Sequence, residues 1–269
     1  MQDDAEWRAP RVLGLLCPRV VCVAMVAIAF APTSRAAANE TVEAVTIDGN
    51  RERVLVVRDD ARPVSDVLIV FTGGDGHLGL TDEPPRPGAE AGYVATLRRD
   101  LVRPGTVLVL VESPTRQPRM SVEYRESAEY RAWIETFIAA LRARYADARL
   151  VAVGYSNGAV SALVAGRQPG VGGVVLISGI FRLYADLASF RVSVPILVIH
   201  HEADRCVPPE FDEGFRRVLK PTMVRSIAQP YEAAPCGPVS AHQFFGQEAV
   251  VAEVVQGWLA TGRAPLRAR

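Results

Sequence analysis

Ser156 stands at the centre of Gly154-Tyr155-Ser156-Asn157-Gly158, the run where the types and spacing of residues say most about chemistry. The apolar stretch Leu150-Val151-Ala152-Val153 leads into it, and the mostly small residues Ala159 to Ala165 follow. That order predicts a strand, a sharp turn and a helix. In so tight a turn the middle residue takes up a strained backbone conformation, and glycines flank it because the crowded main chain has no room for their Cβ atoms. The serine Oγ is then presented at the C-terminal edge of a sheet. The N–H of Asn157 can face a negative charge developing on a substrate oxygen. The chemistry is nucleophilic attack on an acyl carbon. Three fixed positions also fit an ordinary glycine-rich turn, so partners elsewhere in the chain must decide.

A serine hydroxyl at neutral pH needs a base within hydrogen-bond reach and a group that orients the base. The chain has four histidines, His77, His200, His201 and His242. His242 lies in the polar run Ser240-Ala241-His242-Gln243, shortly after Pro235-Cys236, and His200-His201 precede Asp204 and Cys206. Together with Gly154–Gly158, these pieces resemble the α/β-hydrolase superfamily over residues 39 to 262, and more narrowly a group of exported bacterial α/β-hydrolases. The resemblance implies serine hydrolase chemistry, with nucleophile, acid and histidine in that chain order. Only His242 lies far enough downstream of Ser156. The acid should follow the fifth parallel strand, where Asp204 sits in a turn. Glu202 is too close to the strand end, Asp186 precedes the strand, and Asp212 falls on an expected helix. The candidate triad is therefore Ser156, Asp204 and His242. His200 and His201 are expected to pack or bond at the strand end, and as neighbours on a strand they point to opposite faces, which argues against a shared metal.

A second oxyanion donor should come from Thr72-Gly73-Gly74-Asp75-Gly76-His77, the loop after the first parallel strand. Glycines there let the backbone approach a reacting carbonyl, and Gly74 and its neighbours are the candidates alongside Asn157. Asp75 should point away, since a carboxylate beside an oxyanion is unfavourable, and His77 is placed near the pocket mouth. Glu112-Ser113-Pro114 stands after the second parallel strand, where an aspartate-containing turn is expected, and bears on the pocket wall.

These residues need a scaffold. Val42–Ile47 and Arg53–Val57 read as an opening antiparallel pair turned at Asp48-Gly49-Asn50. Val67–Phe71, Val107–Val111, Leu150–Val153, Val174–Ser178 and Ile196–His200 are short, nearly unbroken apolar runs, as parallel strands covered on both faces require. Met223–Ile227 could add a sixth. Ser127–Tyr145 carries Tyr130, Trp133, Ile134, Phe137, Ile138 and Leu141 at helical spacing, a core face rather than a cofactor box. Pro209–Leu219 and Glu248–Ala260 read as further helices. The fold class is α/β, a mostly parallel doubly wound sheet of α/β-hydrolase type. Only residues 179 to 194 separate the fourth and fifth parallel strands, where such hydrolases commonly insert lids. Little or no lid, and a shallow open site, are expected.

The 269 residues are 49% hydrophobic and 22% charged, which suits one sizeable core. The 30 basic residues balance the 30 acidic ones, so no basic excess points to nucleic acid. Residues 1–38 read as an export signal: Arg8, Arg11 and Arg19, then the apolar run Val20–Ala31, then an A-x-A site at Ala36-Ala37-Ala38. The apolar run is too short for a comfortable membrane span. Residues 39–269 would be the mature hydrolase domain, periplasmic or secreted, with no stable membrane span. Cys17 and Cys22 fall within the signal, leaving Cys206 and Cys236. In an oxidising compartment these pair as a disulfide tying the acid loop to the histidine loop, with two buried free thiols as the alternative. A closed loop of about 30 residues would stabilise the fold by about 3–4 kcal/mol in the loop-entropy treatment.

No P-loop, dinucleotide fingerprint or metal cluster competes, and no cofactor or metal is expected. The resulting expectation is an exported serine hydrolase for an ester or related acyl bond in a small-molecule or polymeric substrate. An amidase or peptidase with the same triad, and a non-catalytic binding protein on the same fold, are the alternatives.

Overall fold

Runs of valine, leucine and isoleucine without polar interruption are stable only when covered on both sides, and such runs form the centre of this protein. The computed structural model describes residues 38–88, 91–180, 192–208, 222–226, 234–264 and 267–268. Residues 1–37 of the expected signal and the helix expected at Pro209–Leu219 lie outside the described residues.

The elements follow as β1 (Asn39–Ile47), β2 (Asn50–Arg58), β3 (Asp66–Phe71), β4 (Thr81–Asp82), β5 (Pro85–Arg86), α1 (Gly92–Leu101) and β6 (Thr106–Val111). Next come α2 (Val122–Glu126), α3 (Ala128–Arg144), β7 (Arg149–Tyr155), α4 (Gly158–Gly166), β8 (Val171–Ile177) and β9 (Ile196–His201). The chain ends with β10 (Thr222–Ser226), α5 (Glu248–Thr261) and β11 (Arg267–Ala268). Among the described residues nine strands form one sheet in the order β1-β2-β6-β3-β7-β8-β9-β10-β11. From β6 to β11 all neighbours are parallel, and β2 pairs antiparallel with β1 and β6. The opening hairpin turns at Asp48 and Gly49, both with positive φ (49° and 80°), the backbone of a tight two-residue turn.

The strands divide their side chains between two cores, as the pleat dictates. Val67, Ile69 and Phe71 of β3 pack with α3 and α4 on one face, while Leu68 and Val70 pack with α1 and α5 on the other. The aromatic face of α3 is core, with Trp133 stacked between Tyr130 (5.7 Å) and Phe137 (5.1 Å). Ser127 starts α3 by accepting the Tyr130 N–H at 3.1 Å. No such signal marks α1, whose cap residue Ala91 makes no side-chain hydrogen bond. The small β4–β5 hairpin and the two-residue β11 are likewise too short for a periodic pattern to show.

The connection from β8 to β9 spans only residues 178 to 195, too few to build a separate lid domain. No helix among the described residues is long and apolar enough to cross a membrane.

Phe137 is fully buried. Phe137→Ala is expected to destabilise the protein by about 3–5 kcal/mol, read as a shift in the urea midpoint at unchanged slope.

Candidate active site

The elbow is built by crowding. Ser156 adopts φ 52°, a left-handed conformation that side-chain-bearing residues rarely hold. Its N–H is anchored to the Ile177 carbonyl of β8 at 2.9 Å, and its carbonyl accepts the Ala159 N–H that opens α4 at 3.0 Å. A Cβ on Gly154 would lie 2.4 Å from the Gly158 carbonyl oxygen, and one on Gly158 would lie 2.2 Å from that of Phe71. Both glycines are therefore needed so that α4 can start directly against the ends of β3 and β7. Gly73 approaches from the other side, where an added Cβ would sit 2.8 Å from Ser156 Cβ.

His242 reaches Ser156 from the opposite end of the chain. Its Nε2 lies 3.2 Å from Ser156 Oγ, and its Nδ1–H donates to Asp204 Oδ2 at 2.8 Å. The carboxylate can only accept, which puts the imidazole proton on Nδ1 and leaves Nε2 free to take the serine proton. The backbone of His242 is held by the Ser178 hydroxyl, which donates to its carbonyl at 2.9 Å. Tyr155 lies against the imidazole, with ring centroids 5.4 Å apart. Phe244, fully buried in left-handed conformation (φ 48°), roots the loop beside Tyr93 and His201.

Asp204 follows β9 in a buried turn. Its Oδ1 accepts the N–H groups of Cys206 and Val207, each at 2.9 Å. The Nε2–H of His200, held by the Val207 carbonyl at 2.6 Å, also lies 3.3 Å from Oδ2. Burial by itself would raise the Asp204 carboxyl. The His200 and His242 hydrogen bonds, the His242 charge and the Val207 N–H outweigh it, and hold the group well below the usual carboxylate range. The adjacent histidines diverge, as expected of strand neighbours. His201 lies on the Phe244 side, where its Nδ1 accepts the Ala203 N–H at 3.0 Å, and burial lowers its pKa. Cys206 and Cys236 are joined by a disulfide, Cα–Cα 5.0 Å, between the acid loop and the segment leading to His242.

The loop after β3 covers Ser156. Asn157 Nδ2 donates to the Gly74 carbonyl at 3.1 Å, which links the two oxyanion candidates directly. Among the described residues, no hydrogen bond engages the N–H of Gly73, Gly74, Asp75 or Asn157. Asp75 is taken up by Arg119 and by the His77 N–H. Glu112 has a structural role that the sequence does not reveal: it accepts the N–H groups of Leu78 (2.6 Å) and Leu80 (3.3 Å) and lies 3.1 Å from His77 Nδ1. It therefore staples down the far end of the same loop. No group of three or more His, Cys, Asp or Glu among the described residues is placed to hold a metal ion.

Solved structures share this architecture. A dienelactone hydrolase from Anabaena variabilis superposes with TM-score 0.58 at 17% identity, covering 85% of this chain and 100% of its own. An α/β serine hydrolase without lid from Xanthomonas campestris gives TM-score 0.58 at 17% identity, over 85% of this chain and 96% of its own. An α/β serine hydrolase homologue from Coxiella burnetii gives 0.56 at 15%, over 81% and 95%. No family model and no curated protein matches the sequence. At these identities the likeness concerns architecture: the chain has the α/β-hydrolase fold, with no lid domain among the described residues.

Three variants test this arrangement. Gly158→Ala should destabilise the fold by about 3 kcal/mol or more, the upper end of overpacking. Gly257→Ala, in α5 with open space around it, should stabilise by about 0.5–1 kcal/mol; chemical denaturation measures both. The depressed Asp204 pKa contributes stability that is complete above the unfolded value of about 3.9 and is lost as pH falls from there through the folded value. Asp204→Asn should flatten the acid limb of the stability–pH curve below about pH 4, read by thermal unfolding across that range.

Proposed function

We propose that the protein is an exported serine hydrolase that cleaves an ester or related acyl bond through an acyl-enzyme. The observation that carries this reading is the hydrogen-bonded line from Ser156 Oγ through His242 to a buried Asp204, with the serine held in left-handed conformation. Ser156 Oγ attacks the acyl carbon while His242 Nε2 takes its proton. The electron pair of the carbonyl moves onto oxygen, where the N–H groups of Asn157 and of the Gly74 region are positioned to meet it. Collapse expels the leaving group, protonated by His242. Water, deprotonated by the same imidazole, attacks the acyl-serine and releases the acid. Asp204 keeps the tautomer and stabilises the imidazolium. No cofactor enters these steps.

The lidless architecture favours bulky or polymeric acyl substrates alongside small ones. The residues ahead of β1, read as an export signal, support a mature protein in the periplasm or medium. The same side chains could cleave an amide, and matched ester and amide substrates separate the two activities. A non-catalytic binding protein would have no chemical need for this line of three side chains.

The test is labelling of the oxidised mature protein, residues 39–269, by a fluorophosphonate probe. Wild type should label stoichiometrically, Ser156→Ala not at all, and Asp204→Asn should hydrolyse esters about 10⁴-fold more slowly. A folded, oxidised wild type that does not label would favour the binding-protein reading.

A further inference from the structure

Arg125, on α2, is fully buried, a demanding place for a guanidinium. Its Nη1 donates to Ser161 Oγ of α4 at 2.6 Å, a hydroxyl that also accepts from Tyr130 at 2.9 Å. Its Nη2 lies against two main-chain carbonyls of the loop over the nucleophile, Thr72 at 3.4 Å and Gly74 at 3.3 Å. Gly76 makes room for this contact. It has φ 86°, and a Cβ there would stand 3.0 Å from Arg125 Nη2 and 2.3 Å from Met120 Cε.

The loop shows a consistent division of donors and acceptors. Its four successive carbonyls are all engaged: Thr72 by Arg125, Gly73 by the Gly76 N–H (3.0 Å), Gly74 by Arg125 and Asn157 Nδ2, and Asp75 by the Met120 N–H (2.7 Å). The N–H groups of Gly73, Gly74 and Asp75 are left without a bond among the described residues. In a trans peptide the carbonyl and the next N–H point in opposite directions, so binding a carbonyl fixes where that N–H aims. Every peptide plane from Thr72 to Asp75 is thereby fixed. Arg125 holds two of these planes, the ones on either side of the peptide that carries the Gly74 N–H.

We propose that Arg125 is a positioning residue that preorganises the oxyanion loop from behind, a role that rests on the serine hydrolase reading. A guanidinium on these carbonyls also polarises their peptide groups in the sense that strengthens the N–H donors. Donors already aimed at the developing charge need no reorganisation during the reaction, which is where their effect on rate arises. The proposed role runs through the loop carbonyls that Arg125 binds.

The test compares Arg125→Met and Arg125→Lys with wild type in ester turnover, thermal unfolding and amide hydrogen exchange at Gly76 and Met120, whose N–H groups bond the loop carbonyls. In the Met variant kcat should fall about 100-fold, the size of losing one oxyanion donor, with KM changed less than about threefold. Exchange at Gly76 and Met120 should speed about tenfold as the loop loosens. The Lys variant, which keeps the charge, should recover part of both. A folded Met variant with wild-type kcat, or one whose loss lies in KM, would overturn the proposal. So would a fall in kcat with exchange at both amides unchanged. If the Met variant does not fold, the Lys variant carries the same three readouts. Failure of the hydrolase reading is seen separately, in a wild type that neither labels nor turns over esters, and it removes this role as well.

Discussion

The first turn of α4 starts against the end of β3 with no space for a side chain between them, and the rest of the site depends on that contact. A Cβ on Gly158 would lie within 2.2 Å of the Phe71 carbonyl oxygen. The chain leaving β7 must therefore reverse within one residue, which drives Ser156 into its left-handed conformation. The same contact brings the loop that continues β3 over the serine, so that Gly73 packs on Ser156 Cβ. Ser156 and the loop after β3 are thus placed by one close approach of backbone to backbone. Buried packing on both faces of the sheet supplies the stability that tolerates the strain.

His242 and Asp204 are held by the two neighbouring strands. Ser178, the residue after β8, donates its hydroxyl to the His242 carbonyl, and β9 ends at the turn that presents Asp204. A carboxylate taken out of water is tolerable only when its lone pairs are met. Here two main-chain N–H groups and two histidines meet them. Three adjacent parallel strands, β7, β8 and β9, therefore each supply one anchor at the same sheet edge, and the fold sets the distances among the groups.

Much of this was legible in the sequence because it depends on local pattern. The apolar runs from Val67 to His200 could only be covered strands, and Asp48-Gly49 announced the hairpin. Gly154 and Gly158 marked the elbow because the backbone there excludes every larger residue. Asp204 and His242 could be chosen by chain order, and the structure brings both into hydrogen-bond reach. Arg125 could not be found in this way. It is one of many arginines in its region, and its burial depends on Ser161 and on carbonyls 51 and 53 residues away, which no periodicity records. Glu112 stood out only as a departure from an expected aspartate turn. Its meaning, a staple for the Leu78 and Leu80 amides, needed the packed loop. His200 read as a strand-end residue, and its support of Asp204 appears only once the turn after β9 closes on it.

The disulfide between Cys206 and Cys236 has a consequence beyond the resting geometry. The loops bearing Asp204 and His242 are separated in sequence by β10. A local opening that freed both would leave ordinary loops to search a wide volume before meeting again. With the crosslink formed, the two stay on one short tether, and their reunion is an intramolecular event at high effective concentration. The crosslinked loops can then part and meet again within the same encounter, without renegotiating the fold around them.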